Sequence, residues 1–225
     1  MTNSQDVAAS TSTSIHAQQG EAQPALVLVN LGTPTAPEPG PVRAFLREFL
    51  SDRRVIEMSP LLWKPILEGI ILRVRPREVA AKYRSIWMEE GSPLMHYTRE
   101  QARRLGERLP GVRVEVAMRY GQPSIGSVLD CLHADGVRRV AILPAYPQYA
   151  ASTVTTINDA VAQWIGRNRD GFEMRLHRSF PAAPAYIEAL AIALERHWER
   201  VGRPNFLTGD RVVVSFHSIP VAMDE

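Results

Sequence analysis

An α/β fold built on a mostly parallel sheet is what this sequence predicts, and two observations carry the prediction. Short continuous apolar runs recur along the chain, each the length of a strand. Between them lie longer stretches whose apolar residues repeat at three- and four-residue steps, the period of an amphipathic helix. Strands alternating with such helices make βαβ units, and a strand–helix–strand crossover leaves its two strands parallel. Runs that are apolar on both faces need covering on both sides, which gives a Rossmann-like, three-layer arrangement.

The elements follow in order. Residues 1–24 are rich in Ser, Thr, Gln and Ala and hold no Lys or Arg, so they read as a disordered tail, neither a secretory signal nor a transit peptide. ALVLVNL (25–31) is the first strand, stopped by Gly32-Thr33-Pro34. VRVEVAM (112–118), RRVAIL (138–143) and the weaker FEMRLH (172–177) are the next three, and RVVVSF (211–216) is a fifth. Val154, Ile157, Val161 and Ile165 mark one helix; Ile187, Leu190, Leu194 and Trp198 mark another, opened by Pro181 and Pro184 and closed near Gly202.

PLLWKPILEGIILRV (60–74) stands apart. Lys64, Glu68 and Arg73 interrupt it, and it is too short to span a bilayer. Pro65 disfavours one straight helix and suits the start of a second. It is either a buried core helix or an apolar lip that admits a greasy ligand or touches a membrane surface.

Composition narrows the function. At 225 residues and 45% hydrophobic, the chain can bury one sizeable core, or one domain and part of another. A formal charge of +2 gives no footprint for nucleic acid. Cys131 is the only cysteine, so no intrachain disulfide forms and the expected compartment is reducing and cytoplasmic. The histidines lack the close spacing of a compact metal site. There is no GxGxxG, no GxxxxGK[ST] and no GxSxG.

In parallel sheets, ligands bind beyond the carboxyl ends of the strands. Those ends carry Asn30, Leu31 and Thr33; Arg119 and Tyr120; Tyr146, Gln148, Tyr149, Ser152 and Thr153; and His217 with Ser218. Aromatics, hydroxyls, an arginine and a histidine on one edge suit a flat apolar ligand bearing anionic groups.

LVNLGTP, KYRSIW with EEGSPL, MRYGQPSI, AYPQYAAST and SFHSIP, in this order, closely resemble the ferrochelatase family. AYPQY and SFHSIP are the specific blocks. The resemblance covers Ala25 to Glu225 and implies insertion of ferrous iron into protoporphyrin IX, a lyase step that ends haem biosynthesis. It implies two similar halves with the porphyrin between them. Residues 25–180 would be the first, and 181–225 a linking helix and the opening strand of an incomplete second. His217 would be the metal-side histidine, ligand to the iron and acceptor of pyrrole protons, and Arg119 and Tyr120, on the opposite wall, would be the other catalytic residues. A neutral imidazole suits both tasks. Leu31, Tyr83, Arg84, Ser92, Tyr146 and Tyr149 would contact the porphyrin or its propionates. Leu31 replaces the tyrosine of coproporphyrin-type relatives, which favours protoporphyrin. Segment 60–74 would be the lip, in peripheral contact with a membrane. No cofactor is implied beyond the substrate Fe2+, and an iron–sulfur cluster cannot be assessed from these residues. The family's acidic partner for its histidine has no counterpart here, since Asp224 and Glu225 come too soon; the chain as given is therefore expected to be inactive. The alternatives are a non-catalytic tetrapyrrole-binding α/β module and a cobalt chelatase of the same superfamily.

Overall fold

The computed structural model describes residues 23–168 and 170–217. Nearly all of the tail expected over 1–24 lies outside these residues, as do Ser218, Asp224 and Glu225. The chain runs β1 (Ala25–Gly32), α1 (Pro39–Leu50), α2 (Pro60–Ile66), a π-helical turn (Leu67–Ile71), α3 (Leu72–Ile86) and α4 (Pro93–Arg108). It continues through β2 (Arg113–Tyr120), α5 (Ile125–Ala134), β3 (Arg139–Pro144), a second π-helical turn (Ala151–Thr155), α6 (Thr156–Ile165), β4 (Glu173–Leu176) and α7 (Pro184–Val201). The fold is α/β, as the alternation predicts.

The four strands form one sheet in the order β2-β1-β3-β4, every pair parallel. Val27, central in β1, pairs with Glu115 of β2 and Ile142 of β3. Side chains alternate across a strand, so Ala25, Val27 and Val29 share a face with Ala117, Val140 and Ile142. That face packs against Ile125, Val128, Leu129 and Leu132 of α5 and Ile157, Val161 and Trp164 of α6. Each such side chain taken fully from water contributes about 1.5–3 kcal/mol. Ser124 caps α5, its hydroxyl accepting the Ser127 N–H at 3.1 Å. Helix α4 contacts β1 and β2 and supplies the opposite layer.

A second apolar cluster forms around Tyr120, at the carboxyl end of β2. Val42, Phe45, Leu46 and Leu50 of α1 meet Leu67, Leu72 and Ala80, with Leu31, Trp63 and Tyr83 packed alongside. The long excursion between β1 and β2 thus lies over the edge where a ligand is expected.

Three readings need correction. Residues 211–217 form no strand; they are irregular and exposed, Val213 at 86% and Phe216 at 72%. A strand apolar on both faces is stable only when paired and covered, and none of the four described strands pairs with residues 211–216. Pro65 does not start a second helix. It lies inside α2, and the chain passes into α3 through the π-helical turn, the register lapse that lets a helix continue past a missing backbone donor. In α6 the inward position belongs to Trp164, whereas Ile165 is 46% exposed; the steps from Val154 run three, four, three.

Candidate functional site

The carboxyl ends of β1 and β2 approach so closely that the backbone is selective. A Cβ on Gly32 would lie 1.9 Å from the Tyr120 carbonyl oxygen, and Gly32 has φ +119°, so only glycine fits. Asn30, two residues earlier, fixes the strand end. Its Nδ2 donates to Thr98 Oγ1 at 2.9 Å and its Oδ1 accepts the Leu31 N–H at 2.8 Å. Thr33 then donates to the buried Ser92 hydroxyl at 2.8 Å, joining the end of β1 to the start of α4. Ser92 is therefore occupied in holding the scaffold.

The centre of the edge is a carboxylate. Asp52, in the loop after α1, has 9% of its side chain exposed, and Arg119 has 18%. Oδ2 of Asp52 accepts from the Arg119 guanidinium, from the Tyr120 hydroxyl at 2.9 Å and from the Thr156 hydroxyl at 2.7 Å. Oδ1 accepts the Arg54 N–H at 2.7 Å. Arg119 Nε donates to the Thr156 carbonyl at 2.8 Å, and its guanidinium lies 4.4 Å from the centre of the Tyr120 ring. Burial pushes the Asp52 carboxyl up, but the bonds from Thr156, Arg54 and Tyr120 and the Arg119 charge outweigh it and hold the group below the usual carboxylate range. Burial raises the Tyr120 phenol well above its ordinary value, so it stays a donor. Neither Asp52 nor Thr156 stood out in the sequence. Asp52 lies 67 positions from Arg119, and Thr156 lies just past the Ser152-Thr153 pair that drew attention instead; Thr153 bonds back to Ala150.

Aromatic rings continue from Tyr120. Phe49 meets it edge-on at 5.2 Å, Phe45 stacks on Phe49 at 6.0 Å, Tyr83 meets Phe45 at 6.5 Å, and Trp87 follows Tyr83 at 6.1 Å. Burial alone raises the Tyr83 phenol. Near Tyr120, Tyr146 follows the end of β3 with a buried hydroxyl. It lies close to the Leu31 backbone without completing a hydrogen bond. Burial, then the neighbouring Tyr120, pushes that phenol up. Leu31, Tyr83, Arg119, Tyr120 and Tyr146 are thus gathered around one edge.

The other residues are placed differently. Arg84 is exposed and donates to the Pro37 carbonyl at 3.2 Å. Tyr149 turns to Thr155, hydroxyl to hydroxyl at 2.6 Å, under the Arg178 guanidinium at 4.2 Å. His217 is exposed in the irregular segment 211–217, not at a strand end. No group of three or more His, Cys, Asp or Glu side chains among the described residues could hold a metal ion.

The family model described as ferrochelatase matches residues 23–225. This chain belongs to the ferrochelatase family. The ferrochelatase of Methylibium petroleiphilum is 48% identical over 209 residues, 91% of this chain and 56% of that protein. The ferrochelatase of Stenotrophomonas maltophilia is 46% identical over 196 residues, 87% of this chain and 59% of that protein. Ferrochelatase 1 of Shewanella oneidensis, also 46% identical, is matched to the same extent. The chain therefore spans rather more than half the length of these curated relatives. A solved structure ascribed to cobalamin (vitamin B12) biosynthesis, CbiX of Marinobacter aquaeolei VT8, covers 80% of this chain and 100% of its own, at TM-score 0.44 and 13% identity. The family motifs fall on the edge just described: LVNLGTP on the end of β1, MRYGQP on the end of β2, AYPQY beyond β3.

Proposed function

We propose that this chain supplies one wall of a protoporphyrin site in a ferrochelatase that inserts ferrous iron, the closing step of haem biosynthesis. The observation that carries the reading is the run of rings from Tyr120 to Trp87 beside Leu31. A planar, largely apolar macrocycle is recognised by aromatic and aliphatic side chains, and exposed Arg84 suits a propionate. Leu31 in an apolar cluster favours protoporphyrin, with two carboxylates, over coproporphyrin, with four.

In this reading Arg119 and Tyr120 hold the wall in shape and His217 is the metal-side base. Metallation removes two pyrrole protons, and a neutral imidazole is the acceptor such a step needs. The domain reading belongs here as well: residues 25–180 make the first half, and 181–225 belong with the second. Helix α7, in which only Tyr186 and Trp198 are not exposed, fits a surface meant for further chain. The face of α2 and the π-helical turn bearing Leu61, Leu62, Ile66 and Ile70 is exposed beside Lys64, the pattern of a peripheral membrane contact.

The test is absorbance titration of the 225-residue protein. Protoporphyrin should shift its Soret band saturably, and coproporphyrin should bind at least about tenfold more weakly, the penalty for burying extra charge. Leu31→Tyr should narrow the gap. Equal affinity for both porphyrins, or no saturable shift, would overturn the assignment.

A further inference from the structure

The loop between α1 and α2 is fastened to the sheet at three points. Before it, Glu48 Oε2 accepts the Gly121 N–H at 2.8 Å. Within it, Asp52 gathers Arg119, Tyr120 and Thr156. Two residues on, still within the loop, Arg54 pairs with Asp159 of α6 at 2.8 Å. The first and third are exposed, and exposed contacts of this kind are individually weak. The Asp52 contact is enclosed and made of charge-assisted bonds, which are the stronger kind. The same loop leads into α2, where Trp63 Nε1 donates to the Leu50 carbonyl at 2.7 Å, so the start of the apolar segment 60–74 is tied back to the end of α1.

We infer that Asp52 is a positioning residue: its carboxylate sets the orientation of Arg119 and Tyr120 at the end of β2 and joins them to the root of the helical segment 60–74. Wall and lip then form one mechanical unit. Most of the guanidinium of Arg119 is committed to Asp52 and Thr156, so it acts on a ligand by holding the Tyr120 ring that it covers. Asparagine at position 52 keeps the shape but removes the charge and turns one acceptor into a donor facing donors. The inference deepens the porphyrin reading in that it assigns the porphyrin wall its support, yet it is read without porphyrin.

The experiment compares Asp52→Asn and Thr156→Val with the parent 225-residue chain. In the parent, the Arg119 Nε–H should give a 15N resonance separated from the exposed arginines and slow to exchange. Asp52→Asn should merge it with them and speed tryptic cleavage after Arg53 and Arg54 about tenfold, as local opening becomes easier. Protoporphyrin affinity should fall about fivefold, the usual size of coupling through a packed network, with a shifted bound Soret maximum. Thr156→Val, which deletes one donor and keeps the charge pair, should move all three readouts the same way by less, and it carries the test if the asparagine variant does not fold. An unchanged Arg119 resonance with unchanged cleavage in either folded variant overturns the inference. If the resonance and cleavage respond but the parent binds no porphyrin, the positioning role stands and the porphyrin reading falls.

Discussion

At the scale of single residues, the edge of the sheet is held together by positions that tolerate one side chain. Gly32 and Gly91 both have positive φ, +119° and +107°. A Cβ on Gly32 would meet backbone, while one on Gly91 would meet nothing within 4 Å. Gly91→Ala should therefore cost only the conformational penalty, about 1–2 kcal/mol. Gly32→Ala must also part β1 from β2 and should exceed about 4 kcal/mol, among the large single-residue effects. Urea unfolding of both variants checks the order; comparable midpoints would mean the strand ends can separate freely. Gly32 was legible in the sequence as a strand stop, but its second duty was not. The contact is with a residue 88 positions later, and no local pattern encodes which glycine a distant carbonyl will approach. Asp52 escaped for the same reason. An acid in an Arg-rich loop looks like solvated charge until the fold brings Arg119, Tyr120 and Thr156 to it.

At the scale of elements, the four strands of the sheet were legible because each is a short apolar run bounded by turn residues, and all four form within two residues of the reading. The segment 60–74 was not resolved by periodicity alone, since its apolar residues exceed one face. The structure divides them: Leu67 and Leu72 are buried, Trp63 and Ile71 half-buried, and Leu61 stands 87% exposed with Leu62, Ile66, Ile70 and Val74 also turned outward. The inner face is core, as one reading expects, and the outer face is the exposed apolar surface that the lip reading requires. Leu67→Ala should lose about 2–5 kcal/mol with little change in vesicle binding. Leu61→Ser with Leu62→Ser and Ile70→Ser should stay within about 0.5 kcal/mol per site. The same triple variant should lose most of its flotation with anionic vesicles. A triple variant that melts early yet floats like the parent would return the outer face to the core and remove the membrane contact.

At the scale of the whole molecule, packing is uneven along the chain. The sheet with α5 and α6, and the cluster around Tyr120, account for most of the buried apolar residues. Helix α7 has the amphipathic pattern read from its sequence, yet Ile187, Leu190 and Leu194 are exposed. Its start is tied down, with the Phe180 N–H donating to the Pro147 carbonyl at 2.8 Å and the Phe180 ring meeting Tyr186 at 5.8 Å. Beyond it, Leu207 is 98% exposed and Val213, Val214 and Phe216 are largely so. The apolar pattern of 211–216 was read as a strand because pattern records what a segment can bury, not whether a partner is there to cover it. Contiguous exposed apolar surface drives association, whereas stability comes from what is buried. The two therefore separate on deletion. Removing residues 203–225 should leave the melting temperature within about 2 °C of the parent, since the described residues among them, 203–217, are exposed apart from half-buried Pro204. It should also reduce self-association at high concentration, measured by light scattering, and trypsin acting on the intact protein should cut at Arg211 before any arginine between β1 and α6. A melting temperature lowered by about 10 °C would mean that residues 203–217 pack on the core. Unchanged self-association would move the adhesive surface to the exposed apolar face of 60–74.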